Sequence, residues 1–400
     1  MYKRQLISFL NVKIPTSTQQ QVNLSRKIAI FSLSNKKAFL LIIPLSSLLM
    51  ILLIPMNKLD MNPTQMYSEK YTSYGPDVLW LDKKLGASFP ISFKATSDNG
   101  SVSNPKFLEG LDNFSMWLEK QNEVTHVTSL ARTMKSLNKS MHGDDLKMKV
   151  IPEDQELSSQ YLFFYEMSLP MGLDLNTSIS QDRGSTRIAA TLREMTSKEY
   201  LVFDKKVSTY LKDNNLESTI SKPAGFRVIF VYLMEAVVNS LLIGVTIGMA
   251  LIITVIGFFF RSAYFGFLSS FPNILPIVSA FGIWAIIDGQ IDFMVAVGMG
   301  STLGIIVDFT VHLLSKYDLA RQELNKSPED AVLYAFEAVG FALIAMTVIL
   351  ALGFSVLHLV SFLPMHNFAQ FSILAFVFAL IIDFFLFPNL LIRFDKRKFD

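Results

Sequence analysis

The chain has 400 residues, 51% of them hydrophobic and only 18% charged, with a mean hydropathy of +0.38. That balance is too apolar for an ordinary soluble domain. A net charge of +2 without a basic stripe interleaved with aromatics argues against a nucleic-acid partner, and the lack of cysteine excludes disulfides, thiolate metal sites and a cysteine nucleophile.

Residues 1–37 form a basic segment, with Lys3, Arg4, Lys13, Arg26, Lys27, Lys36 and Lys37 and no acidic residue. The run "AFLLIIPLSSLLMILLIP" (38–55) follows it. No small-residue cleavage site comes after this run, so it reads as a retained membrane span rather than a signal peptide.

Residues 56–231 are ordinary soluble sequence with alternating periodicities. Strands are expected at 90–97, 124–130, 186–194 and 217–222. Helices are expected at 104–122, with Asn104 as N-cap and Pro105 following, near 157–169, and at 197–215. This is a strand–helix–strand unit occurring twice, the content of a ferredoxin-like α+β domain. No Ser/His/Asp set and no carboxylate pair stands at motif spacing in it, so enzymatic activity is not expected.

Residues 232–392 hold five more runs long enough to cross a bilayer, near 237–260, 263–287, 293–315, 334–358 and 367–392. Arg261 in a short loop, and Arg393, Lys396, Arg397 and Lys398 in the tail 393–400, join the basic N-terminal segment in marking the cytoplasmic side. Asp288 and Asp292 mark the outer side. Both termini are therefore expected in the cytoplasm, with 56–231 outside the cell membrane and 318–331 as a charged cytoplasmic connection.

The chemistry concentrates in the fourth span. Gly300, Gly304, Asp308 and His312 recur every four residues and share one helix face, with Ser301 beside it. Glycines at this spacing let another helix approach closely, so the stripe reads as a packing seam that becomes ionisable. Asp308 lies about 22 Å along the helix from its outer end at 293. No span carries Lys or Arg in its middle, so a permanent internal ion pair is not expected. A carboxyl at this depth is costly to ionise and marks an ion or proton pathway, or else hydrogen-bonds a neighbouring helix. His312 reads as an interfacial histidine or a proton-relay partner. Asp383 and Asn389 in the sixth span, and Glu337 early in the fifth, read first as end-of-helix polar residues and second as proton-entry groups. "GMGSTLG" (298–304) has the wrong spacing for a nucleotide loop and lies inside an apolar span, and no Walker sequence occurs, so ATP is not expected to drive the protein. The five histidines (126, 142, 312, 358, 366) lack metal-ligand spacing, and neither metal nor other cofactor is expected.

The segments "FRSAYFGFLSSFPNILPIVSAFGIW" (260–284), "GIIVDFTVHLLSKY" (304–317), "SPEDAVLYAFEAVGFALIAMTVILALGFSVLHLVSF" (327–362) and "FAQFSILAFVFALIIDFFLFPNLL" (368–391) resemble the resistance-nodulation-division (RND) superfamily, in its MMPL or hydrophobe-exporter branch. "LGASFPISF" (85–93) and "VTHVTSLARTMKSLN" (124–138) match less sharply. The resemblance implies a six-span RND-type repeat with a porter domain in 56–231. It implies export of a hydrophobic or lipid-like substrate driven by the proton gradient across the inner (plasma) membrane, with Asp308 as the proton-carrying carboxylate. Many relatives have a polar or phenolic residue after the aspartate; here Phe309 stands there, leaving Thr310 or His312 as substitutes. RND proteins usually carry two such repeats, so the chain resembles one half, pairing with itself or with a separately encoded first half. In a homodimer two Asp308 side chains would face each other. The runner-up readings are a non-transporting sensor or scaffold subunit, akin to sterol-sensing relatives, and a protein-export accessory of SecD/SecF type.

Overall fold

A computed structural model describes residues 19–60, 66–67, 73–85, 89–170 and 174–395. Lys3, Arg4 and Lys13 of the basic segment, and Lys396, Arg397 and Lys398 of the tail, lie outside the described residues. The chain divides into two compact units, one of Met1–Lys58 with Val237–Asp400 and one of Leu59–Ala236.

In chain order the elements begin with helices α1 (Gln19–Ser34), α2 (Lys36–Leu53) and α3 (Tyr74–Leu85). Then come β1 (Phe89–Thr96), α4 (Pro105–Glu119), β2 (Val124–Thr128), α5 (Leu130–Met141), α6 (Gln155–Ser168), β3 (Ser185–Leu192) and α7 (Ser197–Asp213). The remainder is helical: α8 (Phe226–Phe259), α9 (Ala263–Leu268), α10 (Ser270–Ile287), α11 (Phe293–Gln322), α12 (Pro328–Ala335), a π-helical turn Phe336–Gly340, α13 (Phe341–Ser355), α14 (Leu363–Phe385) and α15 (Phe387–Phe394).

The α+β unit forms around period-two burial. Phe89, Ile91, Phe93 and Ala95 of β1 point inward and alternate with more exposed neighbours. β1 pairs antiparallel with β3 from Phe89–Leu192 to Thr96–Ser185, and β2 pairs antiparallel with the other edge of β3. α4 starts as the sequence expects: Asn104 Oδ1 accepts from Phe107 N at 3.2 Å, and Pro105 needs no partner for an N–H it lacks. Its buried stripe of Phe107, Leu111, Phe114 and Leu118 covers the sheet together with Tyr200, Phe203 and Val207 of α7. α7 is set by a reciprocal cap between Thr196 and Glu199.

The sheet has three strands, in the order β1-β3-β2, rather than the four of the ferredoxin-like expectation. The segment expected as the last strand makes only isolated bridges to β1, at Ala95–Ile220 and Ser92–Ala224. The cause is local. The Ser221 hydroxyl accepts from Lys94 N at 2.9 Å, where a ladder would use a backbone carbonyl.

Six helices are long and apolar enough to cross a membrane: Lys36–Met56, Phe226–Phe259, Ala263–Ile287, Phe293–Gln322, Pro328–Leu359 and Leu363–Phe394. The protein is a multi-pass membrane protein. Three of the spans form the interior of the bundle, with α11 packed on α14 and on α10 around Trp284, Phe309, Phe371 and Ala375. Close approach here needs glycine. A Cβ on Gly282 would lie 2.5 Å from the Met50 carbonyl oxygen, and one on Gly298 would lie 3.2 Å from Phe368 and 3.3 Å from Phe371. By contrast α2 and the membrane part of α8 turn Leu41, Leu52, Leu251 and Phe258 outward, as expected where the solvent is hydrocarbon.

Part of the basic N-terminal segment is structured. α1 buries the small residues Ser25, Ala29 and Ser32 and exposes Leu24, Ile30 and Phe31. Ser32 Oγ donates to the Phe384 carbonyl at 2.9 Å, and Arg26 pairs with Glu337 at 3.5 Å. The inside-out pattern follows from a lipid setting, where small residues permit packing and large apolar ones are at home outside.

Candidate functional site

α11 carries the candidate site. Its first turn is fixed by Asp292, whose Oδ1 accepts from Val295 N at 2.9 Å while Oδ2 accepts from Asn367 Nδ2 of α14 at 2.9 Å. Burial raises the pKa of this carboxyl above its ordinary value, the capping hydrogen bonds offsetting only part of the effect.

Beyond the first turn the helix has two unlike sides. Leu303, Ile306, Phe309, Thr310 and Leu313 are buried in the bundle. Ser301, Gly304, Asp308 and His312 lie on the opposite, exposed side. Asp308 Oδ1 stands 3.4 Å from His312 Nε2, and the two side chains are 55% and 54% exposed within the chain. A Cβ at Gly304 would meet nothing within 4 Å, and one at Gly300 would meet only Leu241 at 3.7 Å. Thus Gly300, Gly304, Asp308 and His312 do share a stripe, and none of the described helices of this chain closes over it at Gly304. The glycine that seats a neighbouring helix of the same bundle is Gly298.

Thr310 is not brought to Asp308. Two residues on, a helix has turned about 200°, and the Thr310 hydroxyl points into the core. It lies 3.0 Å from Asp383 Oδ1 of α14 and 3.1 Å from Asn273 Oδ1 of α10. Of the two substitutes for the missing hydroxyl at Phe309, only His312 reaches the aspartate.

Asp383 differs from the end-of-helix residue first expected. It is fully buried where three spans meet, against Thr310 of α11, and the chain continues past it into the short helix α15, which buries Phe387, Pro388, Asn389 and Leu391. Asn389 is buried too, with Nδ2 donating to the Phe385 carbonyl at 2.8 Å and to Ser32 Oγ at 3.2 Å. Glu337 sits in the π-helical turn, partly exposed and paired with Arg26. Sequence reading missed Asn273, although an amide inside "SFPNILP" was a readable sign of a polar contact between spans. Among the described residues no group of three or more His, Cys, Asp or Glu side chains gathers in a way that would hold a metal ion.

The sequence model of the MMPL family matches residues 101–397. The chain belongs to the MMPL family. The match takes in most of the α+β unit and every span after the first, so the Asp308 stripe lies within the part that defines membership. MMPL proteins are a transporter family, and this chain brings to it six helices long and apolar enough to cross a membrane. A putative membrane protein of Methanocaldococcus jannaschii is 26% identical over 151 residues, 37% of this chain. The shared stretch spans 38% of that relative's length.

Proposed function

We propose that this MMPL-family chain is one six-span half of an exporter that moves a hydrophobic or lipid-like substrate outward at the expense of the proton gradient. The observation that carries the reading is the open stripe of α11, where a carboxyl and an imidazole four residues apart stand on a face that this bundle leaves uncovered. An ionisable pair on a lipid-facing surface would be costly, so the face belongs against a second six-span bundle or a water-filled seam. The second bundle is another copy of the chain or a separately encoded first half. The glycines let it come close, and Asp308, with His312 as its relay partner, exchanges the protons. In this reading the 59–236 unit is an extracytoplasmic α+β porter domain built on its three-stranded sheet, and the termini face the cytoplasm of a cell bounded by that inner membrane.

The test is reconstitution of the purified chain, alone or with a co-purified partner, into liposomes holding a fluorescent-tailed phospholipid. An imposed proton gradient should drive release of the lipid to acceptor vesicles, and a protonophore should stop it. Release at the same rate with and without the gradient would refute proton coupling.

A further inference from the structure

The interior of the bundle holds a second polar constellation, on the face of α11 turned away from Asp308. Asn273 of α10, Thr310 of α11 and Asp383 of α14 are all fully or almost fully buried, and each comes from a different span. Their oxygens are in sequence: Asn273 Oδ1 to Thr310 Oγ1 is 3.1 Å, and Thr310 Oγ1 to Asp383 Oδ1 is 3.0 Å.

Counting hydrogens decides what holds these contacts. The orientation of the Asn273 amide is fixed, because its Nδ2 donates to the Ser269 carbonyl at 2.7 Å; the reversed amide would set two acceptors against each other there. Asn273 therefore offers Thr310 an acceptor only. The Thr310 hydroxyl has one hydrogen. The two contacts at 3.0 and 3.1 Å, both much shorter than the 3.5 Å from the same hydroxyl to the Ile306 carbonyl, need two hydrogens, and an ionised Asp383 supplies none. The second Asp383 oxygen, Oδ2, is buried and has no hydrogen-bond partner among the described protein groups.

Among the described residues no Lys, Arg or His side chain forms an ion pair with Asp383. Of the charged residues on elements packed against α14 and α11, Asp308 contacts His312, Glu337 contacts Arg26, Glu329 contacts Lys36, and Arg321 contacts Asp395. Asp383 has Thr310 as its hydrogen-bond partner.

We propose that Asp383 is a second proton-binding site, carrying its proton on Oδ1 and donating it to Thr310, which in turn donates to Asn273. The proton is then part of the packing. While it is bound, a continuous chain of hydrogen bonds ties α14 to α11 and α11 to α10. When it leaves, two acceptors share one hydrogen and one of the two ties is lost. Proton occupancy at this point thereby sets how firmly three spans hold together. The inference does not depend on Asp308 being the coupling carboxyl, and its test does not require transport.

Infrared difference spectroscopy of the full chain in lipid at neutral pH provides the test. The wild-type protein should show the carbonyl stretch of a protonated carboxyl that disappears in Asp383→Asn and persists in Asp308→Asn. Asp383→Asn retains an N–H to offer Thr310 and is expected to insert normally. Thr310→Val, which keeps the side-chain volume, should retain the band at a shifted frequency, and this provides the same test should Asp383→Asn fail to insert. Absence of any band that responds to either substitution would overturn the proposal. So would thermal stabilisation of the wild type by sodium ions that Asp383→Asn abolishes, because a metal cation would then occupy the place assigned to the proton.

Discussion

Two glycines on α11, six residues apart, should respond in opposite ways to the same substitution. At Gly304 a Cβ would meet nothing within 4 Å, whereas at Gly298 it would press on Phe368 at 3.2 Å, Phe371 at 3.3 Å and the Ser372 hydroxyl at 3.6 Å. Alanine is favoured over glycine in a helix interior by about 1 kcal/mol. At 304 that gain is unopposed within the chain, so Gly304→Ala should stabilise the isolated bundle by about 0.5–1 kcal/mol. At 298 it is set against overpacking of about 1–3 kcal/mol, because the contacts are with ring atoms of a packed core, and the net effect is destabilising. Leucine sharpens the contrast: Gly298→Leu should prevent α11 from seating on α14, while Gly304→Leu should leave the bundle folded. If the stripe is the seam for a second bundle, Gly304→Leu should nonetheless abolish association and transport. Denaturant unfolding of the dilute purified chain, followed through the buried Trp284, reads the first effect. Cross-linking at higher concentration, or co-purification with the partner, reads the second. Equal destabilisation by the two leucine variants, or normal assembly and transport by Gly304→Leu, would refute the reasoning.

Other outcomes follow from the α+β unit and from the helix caps. The Arg227 guanidinium, almost wholly buried, donates to both Glu194 oxygens at 2.6 Å and to the Met195 carbonyl at 2.7 Å, and it lies 4.6 Å from the centre of the Phe89 ring. Glu194→Gln should cost about 1–3 kcal/mol, between the limits for exposed and buried pairs because Glu194 is itself partly exposed; fluorescence of Trp117, which stacks on Tyr210 in the same unit, should report it in a urea titration. Burial raises the pKa of Asp292, so the folded protein keeps that proton to a higher pH than the unfolded chain does. The stability it contributes is therefore fully present below the ordinary carboxylate pKa and is lost as pH rises through the raised one. Asp292→Asn, a comparable N-cap, should match the wild-type melting temperature in acid, exceed it at neutral pH and flatten the profile between.

Much of this architecture was readable because it is local. The spans follow from runs of apolar residues, the start of α4 from Asn104 and Pro105, and the Asp308 stripe from spacing by four. What the sequence left hidden depends on which helix meets which. Periodicity places Thr310 on the other side of α11 from Asp308, but nothing in a single helix says that Asn273 and Asp383 wait there. The strand expected at 217–222 is a related case: it lies beside β1, but the Ser221 hydroxyl takes the Lys94 N–H that a ladder would give to a carbonyl, so only isolated bridges form. In α1 the usual rule is reversed, since Ser25 and Ser32 face inward and Phe31 outward, a pattern that makes sense only once the surroundings are lipid.

In the proposed function Asp308 carries the protons that drive export. Its most direct test is Asp308→Asn in the gradient-driven lipid-release assay, with insertion and assembly of the variant verified. The variant should be correctly folded and assembled yet fail to release lipid when the proton gradient is imposed. Wild-type release by Asp308→Asn would contradict the account and return the stripe to a purely structural role.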